Sequence, residues 1–319
     1  MSRANISTVA EFPSGVFAEN LVVRYDSSIL VTDPAAKQIH FVPNQINKIS
    51  TPVALLRFEQ SPMGIVQVRP DIIYVTTSTP FDFNSTKTLW RIDMRGYEPG
   101  APAPIPTSVF EFPPEALFLN GLTMLSPSVL LCADSRSDLI WRIDLPERGT
   151  KASLRVWLKH DMLAYSTAPG KEDVPGVNGL QVDGHKNYLY FTNTAQLIFG
   201  RVRFHPSTLD PIDEPIHVTD RWMQADDFIL DKVAGLAYVT THRQNSIVRV
   251  DLNTGVNSTV VGDPLNLELI GPTAGSWGPK RRDYGKVAYF VTDGGFKNPF
   301  NGNVRESRVV KVVFPTGNL

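Results

Sequence analysis

The sequence predicts an all-β protein: a six-bladed β-propeller with four-stranded blades, its ring closed by an N-terminal strand. Three observations carry this. A short passage recurs along the 319 residues, placing one or two polar or small residues immediately before an apolar strand: Glu19-Asn20, Met63-Gly64, Asn120-Gly121, Asn178-Gly179, Asp226-Asp227 and Thr273-Ala274. Successive copies begin 44 to 58 residues apart, which suits one propeller blade per copy. The 25 prolines and 22 glycines favour many turns over long helices, and the 42% hydrophobic content suffices for a full core. A β-sandwich or a pair of small β domains would have no reason to need six similar copies. No Gly/Ser linker or long charge run cuts the chain, so residues 1–319 are expected to form one domain.

Each copy reads as four strands, and the third shows them best. After Asn120-Gly121, Leu122 to Leu125 forms the first strand, Ser126-Pro127-Ser128 turns the chain, and Val129 to Ala133 forms the second. Asp134 to Ser137 turns it again, Leu139 to Asp144 is the third strand, and Arg155 to Lys159 the fourth. Second strands recur at Ile29 to Thr32, Ile72 to Thr76, Leu189 to Asn193, Ala237 to Thr241 and Ala288 to Asp293. Third strands share an alternating signature: Leu89-Trp90-Arg91-Ile92-Asp93, Ile140-Trp141-Arg142-Ile143-Asp144 and Ile247-Val248-Arg249-Val250-Asp251. Fourth strands fall at Val53 to Phe58, Val109 to Phe112, Ile216 to Thr219 and Ser258 to Val261, which leaves the last blade one strand short. Val9-Ala10-Glu11-Phe12-Pro13 resembles Val109-Phe110-Glu111-Phe112-Pro113 and fills that vacancy, removing two exposed edges.

A formal net charge of −1 gives no electrostatic footprint for nucleic acid or an anionic membrane, and Lys280-Arg281-Arg282 reads as a solvated loop. The N-terminus leads into no apolar h-region, and no stretch approaches the ~18 apolar residues of a membrane span. The expectation is a cytoplasmic protein with no membrane partner. Cys132, the only cysteine, lies in an apolar strand and reads as an inert core thiol. The sequons at Asn5, Asn84 and Asn257 read as coincidental in a chain without a secretion signal.

In isolation an Asn-Gly dipeptide is a hairpin turn. The repeat changes that reading, because Asn120 and Asn178 stand at the same phase of their copies as Glu19 and Asp226 do in theirs. In a propeller the starts of the innermost strands lie at one mouth of the central channel, so side chains there converge. A carboxylate in such a place must be paired, hydrated or bound to a cation. Met63, Phe118, Trp222, Met223 and Trp277 lie in segments expected to approach the same mouth, where they suit a bulky hydrophobic ligand, although each alone also reads as core. There is no Gly-x-Ser-x-Gly elbow, no His-Glu-x-x-His and no phosphate-binding glycine loop. The histidines show no metal-ligand spacing, and His242, following a second strand, is expected on the side away from the site.

Ala18-Glu19-Asn20, the run Val177-Asn178-Gly179-Leu180 through Gly184 and Leu189-Tyr190, and Ala225-Asp226-Asp227 through Asp231 resemble the gluconolactonase/regucalcin-like (senescence marker protein-like) propellers. The resemblance implies one divalent cation (Ca²⁺, Mg²⁺, Mn²⁺ or Zn²⁺) held by Glu19, Asn178 and Asp226, with Asn120 near the substrate. It implies a lactonase-like hydrolase in which the cation polarises a lactone carbonyl and Asp226 moves the proton. The chain departs from the family in three places. The usual Gly-Glu-x-Pro-x-Trp opening is Ala-Glu-Asn-Leu-Val-Val, Asp227 replaces the glycine after the metal-binding Asp, and Phe118 stands where sugar-processing members often have Arg. Together these favour an apolar ligand over a sugar, with Asn20, Met63, Phe118, Asn120, Asp227, Trp222 and Trp277 as its contacts.

An alternative expectation is a metal-independent cyclase. The short divergent chain and apolar mouth are similar to propellers of fungal specialised-metabolite pathways, including the hetero-Diels–Alderases of tropolone–sesquiterpenoid biosynthesis, which hold reactive partners together in a dry channel. Asn20, Asn120, Asn178 and Asp226 would then orient substrate oxygens by hydrogen bonds. A protein-binding scaffold is the third reading, since propellers often serve as one.

Overall fold

The recurring strand runs fold as six antiparallel four-stranded sheets, one per blade. The protein is described here from a computed structural model covering residues 4–45, 48–80, 82–146, 151–171, 173–219, 223–265 and 267–315. The chain begins with β1 (Asn5–Glu11) and enters blade one as β2 (Leu21–Val23), β3 (Ile29–Asp33), β4 (Gln38–Val42) and β5 (Val53–Arg57). Blade two is β6 (Pro62–Arg69), β7 (Ile72–Thr77), β8 (Thr88–Asp93) and β9 (Thr107–Glu111). Blade three is β10 (Leu119–Ser126), β11 (Val129–Asp134), β12 (Leu139–Asp144) and β13 (Ser153–Lys159). Blade four is β14 (Val177–Asp183), β15 (Tyr188–Asn193), β16 (Ile198–Arg203) and β17 (Ile216–His217). Blade five is β18 (Phe228–Asp231), β19 (Leu236–Thr241), β20 (Ser246–Asp251) and β21 (Asn257–Gly262). Blade six, β22 (Pro272–Trp277), β23 (Val287–Thr292) and β24 (Arg308–Val313), takes β1 as its fourth strand.

This β1–β24 pairing closes the ring in the way the Val9–Pro13 resemblance predicts. Its register runs from Asn5 opposite Val313 to Glu11 opposite Arg308, where the Arg308 Nε donates to Glu11 at 3.1 Å. Just past β1, Phe12 is 1% exposed, meets the His40 ring edge-on at 5.2 Å, and donates its backbone N–H to Ser307.

Contacts divide the chain into two compact units. One holds Met1–Glu59, Glu98–Ala103 and Phe228–Leu319, and so blades one, five and six; the other holds Gln60–Tyr97 and Pro104–Asp227, and so blades two, three and four. In both, the core lies where neighbouring blades face each other. Leu131, Ala133 and Ile140 of blade three pack with Leu180, Leu189 and Phe191 of blade four, whereas Ala10, Ala274, Val291 and Val309 of blade six pack with Leu21, Ile29 and Val31 of blade one. Cys132 is wholly buried in such a layer, and burial pushes its thiol pKa well up, as an inert core cysteine requires.

In blades one, two and three the last residue of the second strand has a repeated structural task. Asp134 accepts from the backbone N–H groups of Leu117, Phe118, Arg136 and Ser137 and from the Trp141 indole. Thr77 receives the Trp90 indole at 3.0 Å, and Asp33 receives the ring of His40, which stands at the same register of its blade as the two tryptophans. The tryptophan of the third-strand signature, and the histidine that replaces it, thus tie the third strand to the end of the second. Its arginine ties blades together: the Arg142 guanidinium bonds Asp144, the Thr208 carbonyl and Asp210, and Asp210 also receives Arg155.

Among the described residues no helix is long and apolar enough to cross a membrane. Lys280, Arg281 and Arg282 are exposed in a turn, as the sequence suggests.

Two outcomes follow. Phe12→Ala is expected to cost about 3–5 kcal/mol, the range for deleting a buried phenylalanine, read by denaturant unfolding. Arg155, then Arg142, holds the Asp210 carboxyl below its ordinary pKa. The resulting stabilisation is present above about pH 4 and fades as the pH falls through the depressed value. Asp210→Asn is therefore expected to lower Tm near neutral pH, modestly because the group is partly exposed, with the difference closing as the pH falls through that depressed value.

Candidate functional site

Four of the six recurring dipeptides coincide with a backbone irregularity at the start of the inner strands. In blade three, Leu119 pairs with Asp134 and Leu122 with Cys132, so Asn120 and Gly121 together face one residue, Ala133. Blade four repeats this with Asn178-Gly179 opposite Thr192, blade two with Met63-Gly64 opposite Thr76, and blade six with Thr273-Ala274 opposite Val291. Each is a β-bulge, a device that re-aims side chains at a strand end. Neither Asn-Gly pair is a turn; both lie inside strands, and neither glycine has positive φ.

Glycine is needed at the second bulge position for space. A Cβ on Gly64 would stand 2.3 Å from the Asn120 carbonyl oxygen, and one on Gly121 2.3 Å from the Asn178 carbonyl oxygen. On Gly179 it would meet the Asp227 carboxylate at 2.5 Å and the Asp227 Cα at 2.7 Å. The inner strands of blades two, three and four therefore approach in series, each glycine lying against the next dipeptide of the repeat. Asp227, in place of a glycine, packs its own carboxylate onto the Gly179 backbone.

This packing brings Asn178 and Asp226 together. Both are buried, at 4% and 6% exposure, and the Asn178 Nδ2 donates to the Asp226 Oδ1 at 2.8 Å. Nδ2 also donates to the Thr194 Oγ1 at 3.0 Å. The Thr194 hydroxyl gives its own hydrogen to the Ala225 carbonyl at 2.8 Å, so it can only accept from Asn178. A carboxylate likewise only accepts. Both neighbours demand the amide nitrogen, which fixes the orientation of the side chain and leaves the Asn178 Oδ1 turned away from both. Blade three carries the same arrangement: the Ser135 hydroxyl donates to the Val177 carbonyl at 2.6 Å and accepts from the Asn120 Nδ2 at 3.3 Å. Thr192, opposite the Asn178-Gly179 bulge, accepts from the Gly179 N–H and donates to the Asp226 carbonyl.

The remaining expected site residues divide by position. Met63 and Phe118 are buried, at the bulge of β6 and just before β10. Glu19 and Asn20 precede β2 in the other unit, opposite Thr32. Glu19 is 7% exposed, and the Asn20 Oδ1 accepts the Leu21 N–H at 2.8 Å. Trp222 lies outside the described residues, whereas the neighbouring Met223 is buried. The expectation for Trp277 is corrected. It ends β22, at the opposite end of the strand from the Thr273-Ala274 bulge, and its indole packs on Tyr238 and Phe314 while donating to the Leu230 carbonyl at 2.8 Å. It is a core residue because an extended strand carries its last side chain far from its first.

The expectation for His242 is also corrected. Antiparallel pairing puts the end of a second strand beside the start of the first, so His242, just after β19, stands at the same end of its blade as the bulges. Its position corresponds to Ser78, Ser135 and Thr194, each the first residue after its second strand. Its Nε2 is 2.8 Å from Oδ2 of the fully buried Asp293, and Phe17 and Phe296 stack nearby. The signal for Ser135, Thr194 and His242 was available as a second repeated phase, directly after each second strand.

Among the described residues no group of three or more His, Cys, Asp or Glu side chains is placed to hold a metal ion. Asn178 and Asp226 form a different kind of donor set, an amide oxygen and a carboxylate, which is the hard-oxygen chemistry of Ca²⁺ or Mg²⁺.

No protein-family model matches this sequence, and no curated protein does. Solved structures do. A luciferin-regenerating enzyme superposes with a TM-score of 0.70 at 12% identity over 98% of this chain and 96% of that one. A gluconolactonase from Xanthomonas campestris gives 0.64 at 10% identity, over 98% of this chain and 90% of its own. Regucalcin from Agrobacterium tumefaciens, a calcium-binding protein, gives 0.63 at 11% identity, over 97% and 96%. At these identities the likeness is one of fold: the chain is a six-bladed β-propeller.

Gly121→Ala is expected to destabilise the protein by about 1–3 kcal/mol or more, the cost of overpacking, because the added methyl meets backbone that cannot rotate away. The β-propensity that alanine regains over glycine is smaller. A melt showing Gly121→Ala at or above wild-type stability would contradict the close approach of β10 and β14.

Proposed function

We propose that this propeller is a small-molecule hydrolase, opening a lactone or related ester of a hydrophobic metabolite with the help of one divalent cation. The carrying observation is the buried pair of Asn178 and Asp226, brought together from the inner-strand starts of successive repeats. The Asp226 carboxylate is 6% exposed and accepts the Asn178 amide at 2.8 Å. The oriented Asn178 Oδ1 and the Asp226 carboxylate fit a hard cation. When bound, such a cation would polarise a carbonyl and stabilise the oxyanion formed from it.

The chain's own residues supply the rest. Asp226 takes a proton from water as the water oxygen bonds to the carbonyl carbon; the ring C–O bond then breaks, and the departing oxygen receives that proton, giving the hydroxy acid. Met63 and Phe118, buried apolar residues at or near the inner-strand starts, favour a hydrophobic ligand over a sugar. The cyclase reading asks Asn178 to donate to a substrate oxygen, but both of its amide hydrogens are engaged by Thr194 and Asp226.

The test combines elemental analysis of protein purified without chelator and a pH-stat assay on δ-decalactone. One stoichiometric cation is expected, with a fall in kcat of about 10²-fold or more in Asp226→Ala. A metal-free wild type together with undiminished turnover in Asp226→Ala would defeat the proposal.

A further inference from the structure

Three consecutive blades share a hydroxyl strap, a Ser or Thr just after the second strand that reaches a backbone carbonyl next door. Ser78 reaches the Leu119 carbonyl at 3.2 Å, Ser135 the Val177 carbonyl at 2.6 Å, and Thr194 the Ala225 carbonyl at 2.8 Å. All three lie in one unit, so the comparison is within a single packed body. In blade two the bulge residue is Met63, which offers the hydroxyl nothing to accept. In blades three and four it is an asparagine, and the hydroxyl accepts that asparagine's amide nitrogen.

We infer that Ser135 and Thr194 are positioning residues that lock the Asn120 and Asn178 amides with their oxygens toward the ligand, giving the bulge site an acceptor-rich floor selective for a cation. The inference rests on the cation reading above and adds its selectivity. An asparagine free to rotate presents either oxygen or nitrogen, and therefore serves a cation and a carbonyl oxygen alike. Here the hydroxyl hydrogen is already given to a carbonyl, so the oxygen of Ser135 or Thr194 repels the amide oxygen and attracts the amide nitrogen. At Asn178 the lock is double, since Asp226 takes the other hydrogen. The same hydroxyl thus joins neighbouring strands and chooses which face of the amide the ligand meets.

Mn²⁺ is the probe, titrated into the full-length protein and followed by electron paramagnetic resonance. Thr194→Val keeps the shape but removes the acceptor, and is expected to weaken Mn²⁺ binding about tenfold or more, as loss of an outer partner of a metal ligand does. Thr194→Ser should restore it, and Ser135→Ala should weaken binding less, in keeping with its longer 3.3 Å bond. Ser78→Ala removes the same kind of strap with no amide attached, so it separates strap loss from amide orientation. Unchanged affinity in Thr194→Val, or equal losses in Thr194→Val and Ser78→Ala, would overturn the inference. If wild-type protein binds no Mn²⁺, the cation reading itself fails and the selectivity falls with it. The lock remains readable by NMR: both Asn178 side-chain N–H protons should exchange slowly in wild type and rapidly in Thr194→Val, and rapid exchange in wild type would refute it as well.

Discussion

The inner strands of blades two to four approach so closely at their bulges that a single methyl group would collide with the neighbouring backbone. Much of the architecture follows from that contact. It requires Gly64, Gly121 and Gly179, each immediately after a bulge residue. It places backbone carbonyls where the hydroxyls of Ser78, Ser135 and Thr194 can reach them. It also sets the corresponding residues of successive repeats next to each other, so that Asn178 and Asp226 meet although 48 residues separate them.

Buried carboxylates in this fold have surroundings of two kinds. Asp134 is surrounded by four backbone N–H groups and an indole, a full complement for holding a loop to a strand end. Asp33 plays a similar part with His40, whose place other blades give to tryptophan. Asp226 stands just before β18 and receives a side-chain amide. His242 breaks the repeat by replacing a strap hydroxyl and bridges to the buried Asp293. Departure from a repeated structural role is thus a more discriminating sign of chemistry than burial or pairing alone.

The fold was legible because a propeller writes its plan several times over. Alternation in Leu89–Asp93 and Ile140–Asp144 marked third strands, and the match of Val9–Pro13 to Val109–Pro113 anticipated the pairing of β1 with β24. The phase of Asn120, Asn178 and Asp226 was legible too, since a register shared by all copies survives when individual residues change. Trp277 was misplaced because proximity in sequence to a bulge says nothing about which end of an extended strand a side chain occupies. His242 was misplaced because the antiparallel reversal was not followed through the second strand. The amide orientations could not be read at all: they depend on where a hydroxyl sends its hydrogen, and that is decided by a carbonyl more than 30 residues away.

The strap of blade two has a consequence of its own. Ser78 is built like Ser135, its hydrogen given to a carbonyl of the next blade, yet the residue it faces is a methionine. Its blade already has the bulge, the glycine and the hydroxyl that support an asparagine elsewhere. The repeat is therefore a row of sockets wired alike and fitted differently. A change in ligand preference needs only a new side chain in a socket whose supports already stand, so chemistry on this scaffold can diversify one blade at a time while the ring around it stays fixed.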